Sequence, residues 1–488
     1  MPRRVIDRIL GRPRPHARLS RREALKLGAA SAAAWMLSAQ NAAATQRTAA
    51  RRVIVVGAGF SGLSCAYQLK SAGCQVQVLE ARNRVSGRVV SFSDFVPEKV
   101  IEGGGELLGS NHPTVLAYAE KFGLQFSDVL DDDDAAPEVV RLGDATLTVA
   151  QRKAVSSEVD KAHAAMTDDA RAVIPERPWE TPGARVLDLR PTSAWLDALD
   201  ISPLAKQLVA LQFTADNAVA IELQSYLGNL AQVRGGGLER YWEETEVYRL
   251  QGGNQQFAWK LAAEVGAESL TLKCPVTSVA VTDQGVRVTD ARGMVHEADD
   301  VVLTAPPSVW HKIRFDPALP EVLRPQMGTA VKYLSRVKSP YWEAQNLSPG
   351  GASDGAVSAL WCGTEGQKSP PADEGLVAFT GGPEAVRLGR LSPQERTDRY
   401  AAAIEQFLPG YRDALVGTRF MDWVNDPWTL AGYSFPAPGQ VTTHGPLLHA
   451  GLGRLHFAGE HTCYQFVGYM EGALRSGAEL ARRLVASE

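Results

Sequence analysis

Arg52-Val53-Ile54-Val55-Val56-Gly57-Ala58-Gly59-Phe60-Ser61-Gly62 decides the fold. The β-branched run before Gly57 suits a strand buried on both faces of a parallel sheet. It runs into Gly-x-Gly-x-x-Gly. Leu63 to Leu69 then reads as a helix, and Gln75 to Glu80 as a second strand closed by an acid. Gly57 permits a tight turn, Gly59 lets the backbone approach a pyrophosphate, and Gly62 allows close helix–strand packing. The N-terminus of that helix presents free N–H groups and a positive dipole end that favour phosphate. Glu80 lies 23 positions after Gly57, close to the roughly 20 expected of a carboxylate that accepts from ribose hydroxyls. Strand, glycine turn, helix and acid-tipped strand together predict a Rossmann-like, dinucleotide-binding α/β domain.

The remainder of the chain sets bounds. It has 488 residues, 45% hydrophobic and 22% charged, enough for about two or three domains. A net charge of −4 gives no electrostatic support for nucleic acid or an anionic membrane surface. Residues 1–44 have their own pattern. Ser20-Arg21-Arg22 with Leu25-Lys26 precedes a short apolar stretch from Leu27 to Leu37 and the small patch Ala42-Ala43-Ala44. This is too short for a membrane span and is similar to a twin-arginine signal peptide. It implies the twin-arginine export machinery as a partner and a periplasmic or secreted location. Five scattered cysteines fit buried thiols in a protein folded before export. The histidines show no metal-ligand spacing, so no metal is expected.

Beyond Glu80 the chain resembles a known family. Glu80-Ala81-Arg82-Asn83-Arg84-Val85-Ser86-Gly87-Arg88 is similar to the Glu-Ala-Arg-x-Arg-x-Gly-Gly-Arg stretch of flavin-containing amine oxidases, with Ser86 in place of one glycine. Glu102-Gly103-Gly104-Gly105-Glu106-Leu107-Leu108-Gly109 resembles the glycine-rich segment beside the isoalloxazine. Pro275-Val276 resembles the segment whose backbone reads the adenine, and Val301 to Pro307 the strand that closes the FAD domain's core. Phe457-Ala458-Gly459-Glu460-His461-Thr462, followed by Gly468-Tyr469-Met470-Glu471-Gly472-Ala473, resembles the family's most specific signature. A helix starting near Met470 would aim its positive end at the flavin edge that gathers charge on reduction.

The resemblance implies the amine oxidase fold: a Rossmann-like FAD-binding domain (50–110, 246–324 and 441–485) with a discontinuous α+β substrate domain (111–245 and 325–440). It implies FAD contacts from Gly57, Gly59, Ser61, Gly62, Glu80, Arg82, Gly87, Arg88, Gly104, Gly105, Glu106, Leu107, Val276, Gly459, Glu460, Tyr469 and Met470. Lys332 corresponds to the family lysine that holds a water near flavin N5. Tyr433 and Tyr469 correspond to the aromatic pair flanking the substrate amine. Monoamine oxidases carry a flavin-linked cysteine just before this first tyrosine; Gly432 stands there, so FAD is expected to be non-covalent. The run Asp131 to Asp134 reads as a solvated loop.

The chemistry implied is oxidation of a C–N bond. Hydride passes from the α-carbon to the flavin, the imine hydrolyses to a carbonyl compound and ammonia, and O2 or a quinone reoxidises the flavin. The stretches Glu102 to Pro113 and Tyr248 to Gln255 resemble microbial L-amino-acid oxidases, and an L-amino acid is the expected substrate. Venom-type members, however, place a carboxylate-binding arginine where Leu107 stands. The alternative is a primary amine or polyamine, and further away a C–C desaturating flavoprotein. An oligomer is compatible with the sequence.

Overall fold

The valine and isoleucine run Arg52–Val56 has no polar face, and it forms the middle strand of a sheet covered on both sides. In the computed structural model, which describes residues 50–129, 138–367 and 373–486, this sheet has five parallel strands. Their order is Leu455–Phe457, Asp300–Leu303, Arg52–Val56, Gln75–Leu79 and Leu270–Thr271. In such sheets ligands bind beyond the carboxyl ends of the strands. Here those ends deliver Gly57, Glu80, Thr304 and Gly459 to one cavity. The stretches 1–44 and 131–134 lie outside the described residues.

Two helices cover one face of the sheet. Phe60–Ser71 follows the glycine turn, and Met470–Ala486 packs on it so closely that a Cβ on Gly477 would lie 2.1 Å from the Ser61 carbonyl oxygen. Leu63, Ala66, Leu474, Leu480 and Ala481 share that core. On the other face, Val276–Thr282 pairs antiparallel with Gly285–Asp290 and parallel with Arg314–Asp316.

A second, seven-stranded sheet runs Leu415–Met421, Ala330–Val337, Glu374–Gly381, Ala359–Cys362, Gly351–Ser353, Val139–Leu142, Ala145–Thr146. Side chains alternate faces along Ala330–Val337. Tyr333 stacks on Tyr400 of the helix Pro393–Glu405, with ring centroids 4.4 Å apart. Lys332 therefore points the other way, toward the segment carrying Glu102 and Glu106. The region from 149 to 244 is largely helical. Val149–Ala170 starts from a Thr148–Gln151 capping box and buries Val155, Val159, Ala162 and Met166. Among the described residues no helix is long and apolar enough to cross a membrane.

Candidate active site

One cavity of about 400 Å3 runs from the glycine turn to the second sheet. Every residue expected at the site lines it: Gly57, Gly59, Ser61, Glu80, Arg82, Gly87, Arg88, Gly104, Gly105, Glu106, Leu107, Val276, Lys332, Tyr433, Gly459, Glu460, Tyr469 and Met470, with the exception of Gly62, which lies behind the turn.

At the turn, the Gly57 N–H donates to the Leu79 carbonyl at 2.8 Å. Helix Phe60–Ser71 has no side-chain cap, which leaves its first N–H groups for an anion. The Glu80 carboxylate accepts from the backbone N–H groups of Ala58 (2.7 Å) and Arg82 (2.8 Å). It thus braces the turn as well as bordering the cavity. The Arg82 guanidinium makes a bidentate pair with Asp426 (2.8 and 2.6 Å) and reaches Thr429. Its charge is spent on protein partners, and it braces the loop from behind.

Arg88 donates through Nη1 to the Gly432 carbonyl (2.8 Å) and to Glu460 (2.9 Å). Glu460 also accepts from the Ser434 hydroxyl and from the Gly468 N–H at 3.0 Å. Burial opposes its charge, but Arg88 and the other donors hold the carboxyl below the usual range. One carboxylate thereby ties three distant segments around the cavity.

Ser86, which the sequence presents as a small replacement for glycine, takes a left-handed backbone with φ +87°. Its hydroxyl is buried and, among the described residues, has no hydrogen-bond partner. Both features are unfavourable for serine and absent in glycine. Ser86→Gly is therefore expected to stabilise the apoprotein by about 1 kcal/mol. A urea midpoint at or below wild type would contradict this.

At the far end the glycine-rich segment meets the signature helix. Gly104 runs so close to Arg88 that a Cβ would lie 1.9 Å from its carbonyl oxygen, and a Cβ on Gly105 would lie 3.0 Å from Met470 Sδ. Neither position has room for a side chain. The helix Met470–Ala486 begins at this point, as expected. Lys332 Nζ donates to Glu106 Oε2 at 2.7 Å and lies 5.4 Å from the Trp361 ring centre. Glu106 Oε1 accepts from Arg249 Nε (2.9 Å) and Trp361 Nε1 (2.8 Å). Burial works against the Glu106 charge, yet Lys332 and Arg249 together hold its pKa down. Glu102 follows the opposite course: burial pushes it up to about 8, so it is protonated at neutral pH.

Tyr433 and Tyr469 both line the chamber beside Lys332. Tyr433 donates to the Ala215 carbonyl at 3.2 Å, and Tyr469 sits edge-on to His112 with ring centres 5.7 Å apart. Gly468, at φ +85°, brings its backbone against Tyr433. Gly432 is packed tightly too: a Cβ there would lie 2.7 Å from Ala330 Cβ and 2.9 Å from Ala330 N. Leu107 borders the chamber without charge. The guanidinium of Arg249 donates to Glu106 and, at 3.1 Å, to the Cys362 carbonyl, while its Nη1 is buried with no hydrogen-bond partner among the described residues.

His112 and His461 lie fully buried in the walls. Burial drives His112 down to about 3 and His461 to about 4, from 6.5. The native protein keeps both neutral, whereas the unfolded chain takes up their protons below pH 6.5. Stability is therefore expected to fall as pH drops from 6.5 toward 4, by up to about 1.4 kcal/mol per histidine per pH unit. Urea midpoints of the apoprotein between pH 7.5 and 4.5 measure this; a flat profile would contradict it.

Sequence reasoning missed Arg249, Trp361, Glu102 and Glu246 as parts of the site. Their convergence depends on tertiary topology, and no local spacing announces it. It also missed Cys274, Asp290 and His296, whose ligand atoms lie within 4.8 Å of one another. Arg292 already donates to Asp290 Oδ2 at 2.7 Å, placing a positive charge where a cation would go. All five cysteines are free thiols, four of them buried, as expected.

The family model for flavin-containing amine oxidoreductases matches residues 60–485. The chain belongs to this family. Amine oxidase B of Sus scrofa is 26% identical over 449 residues, covering 89% of this chain and 86% of the relative. A probable flavin-containing monoamine oxidase A of Dictyostelium discoideum is 23% identical over 461 residues, covering 88% and 97%. Among solved structures, a redesigned putrescine oxidase superposes with TM-score 0.79 at 25% identity, covering 90% of this chain and 99% of that one. Cyclohexylamine oxidase from Brevibacterium oxydans IH-35A has the same fold (TM-score 0.78, 24% identity, 90% and 99% covered). As a flavin-containing amine oxidoreductase the protein uses FAD, and the cavity described above fits that cofactor from glycine turn to signature helix.

Proposed function

We propose that this protein oxidises primary amines to imines, using FAD held without a covalent bond. The observation that carries this reading is the chamber itself: Tyr433, Tyr469 and Lys332 line it together, the position of Leu107 carries no cation, and the Arg249 guanidinium is held by Glu106 and the Cys362 carbonyl. An α-carboxylate would need a bidentate cation. The support therefore moves from the L-amino acid suggested by the glycine-rich stretch to the amine. Relatives named as monoamine and putrescine oxidases point the same way. A polyene substrate would have no use for the aromatic pair and the buried lysine.

Bound FAD supplies the hydride acceptor. The protein's part is positional. Gly57 to Gly62 seat the pyrophosphate, and Gly104, Gly105 and the start of Met470–Ala486 bracket the ring. The faces of Tyr433 and Tyr469 attract and orient an amine. Lys332 is held in the chamber by Glu106 Oε2 and the Glu102 carbonyl and has one N–H donor left to offer a water. O2 would be the electron acceptor for FAD held here, with a quinone as the second reading suggested by the signal-like N-terminus. Twin-arginine export to the periplasm or beyond is part of the same proposal.

The test is anaerobic flavin bleaching with L-amino acids paired with their decarboxylated amines. Amines are expected to bleach the flavin and amino acids to leave it yellow; the reverse pattern would overturn the reading. Acid precipitation is expected to release the flavin into the supernatant, because Gly432 offers no thiol.

A further inference from the structure

Glu246 is an acid of the chamber that the chemistry above leaves without a task, as are Glu138, Asp216 and Glu365 elsewhere in the same lining. It is half-buried and lines the cavity together with Tyr433, Tyr469 and Lys332. Among the described residues nothing hydrogen-bonds its carboxylate, although Glu106 and Lys332 act on its charge from a distance. In turn its charge is felt by Tyr433, Tyr469 and Tyr241. The carboxylate thus stands in the neighbourhood where the substrate's nitrogen must arrive.

The backbone gives a second, independent reason. Glu246 has φ +64°, a left-handed conformation that costs an ordinary side chain free energy. Both flanks pin it there. The Ser110 N–H donates to the Glu244 carbonyl (3.0 Å). The N–H groups of Val247 and Tyr248 both donate to the Leu108 carbonyl, at 2.7 and 2.8 Å, and Val129 N–H donates to the Val247 carbonyl at 3.2 Å. Glycine would relieve the strain, yet the position carries an acid. Strained non-glycine residues held by an over-determined frame concentrate at binding sites. Burial pushes the Glu246 carboxyl above its ordinary range, and a cation seated beside it would favour the charged form.

We infer that Glu246 is the specificity residue of the chamber: its carboxylate receives the ammonium of the incoming substrate and repels substrates that bring a carboxylate of their own. This rests on the amine-oxidase reading above and names what selects within it. No bond is made or broken at Glu246; the interaction is electrostatic and positions the substrate.

The test compares wild-type, Glu246→Gln and Glu246→Gly holoenzymes. The probe is benzyltrimethylammonium, a cation with no N–H to oxidise, titrated by the change in flavin absorbance; benzyl alcohol is the neutral control. Glu246→Gln is expected to weaken the cation by about tenfold or more and to leave the alcohol unchanged. With benzylamine, KM is expected to rise by a similar factor while kcat stays within about twofold. Glu246→Gly is expected to unfold at a higher temperature than wild type and still to lose the cation, showing that the acid is kept against its own backbone. Equal cation affinity in wild type and Glu246→Gln, or parallel loss of cation and alcohol, would overturn the inference and leave the amine-oxidase reading standing. Failure of every amine to bleach wild-type flavin, with the cation still bound through Glu246, would overturn that reading instead.

Discussion

Gly62→Val protein is expected to purify without the yellow colour of bound flavin, with FAD affinity reduced by at least about 100-fold, or about 3 kcal/mol. The first carbon of any side chain at this position would lie 2.0 Å from the Gly57 carbonyl oxygen and 2.9 Å from Thr304 Oγ1. Neither neighbour can yield cheaply. Gly57 is fixed at φ +110°, with its N–H on the Leu79 carbonyl. The Thr304 hydroxyl donates to the carbonyls of Val56 (2.8 Å) and Gly57 (3.2 Å). The helix Phe60–Ser71 must therefore move off the strand, carrying with it the N–H groups that face the pyrophosphate. Gly417, on the strand Leu415–Met421 with open space around it, is the control: Gly417→Val should keep its flavin. The ratio of absorbance at the flavin and protein bands gives a first reading, and titration of apoprotein with FAD the affinity. Binding within threefold of wild type in Gly62→Val would mean that the turn is not the phosphate seat.

Glu106→Gln is expected to destabilise the protein by about 3 to 5 kcal/mol. The substitution preserves shape and removes one negative charge, leaving Lys332 and Arg249 as two buried cations without their shared counter-ion. Their side chains are only 9% and 8% exposed, so water cannot take over that role. Removing one of the two cations as well should restore part of the loss. Glu106→Gln with Lys332→Met is thus expected to be more stable than Glu106→Gln alone, although inactive or nearly so. Denaturant unfolding of the four proteins completes the cycle. Additive losses would show that Glu106 and Lys332 do not act as a pair.

The contrast between these two sites explains what was legible in the sequence. The phosphate turn is local: strand, three glycines, helix and Glu80 lie within 29 residues, and each has a physical reason to be where it is. The burial of Arg52–Val56 followed from short-range pattern for the same reason, and the helix start at Met470 from the resembling signature segment. Glu106 was legible only as a member of a resembling segment. Its working contacts, Arg249, Lys332 and Trp361, come from three separate stretches of chain and two sheets, and no spacing links them. Arg82 shows the same limit. Its place beside the phosphate turn was readable, but its commitment to Asp426, 344 residues away, was not. Ser86 shows another: a change of one atom group in composition conceals a backbone that only glycine adopts freely.

The crowding around Gly432 has a consequence for anyone wishing to rebuild this enzyme with a tethered flavin. A cysteine at 432 would be the natural graft, since that is where covalent relatives carry theirs. Yet its Cβ would overlap Ala330 Cβ at 2.7 Å and press on the Ala330 backbone nitrogen at 2.9 Å. Trimming Ala330 to glycine removes only the first obstacle. The second belongs to the strand that holds Lys332 two residues on, so a tether gained at 432 would be drawn from the placement of the lysine. A tethered version of this protein is a redesign of the whole strand edge, not a point substitution.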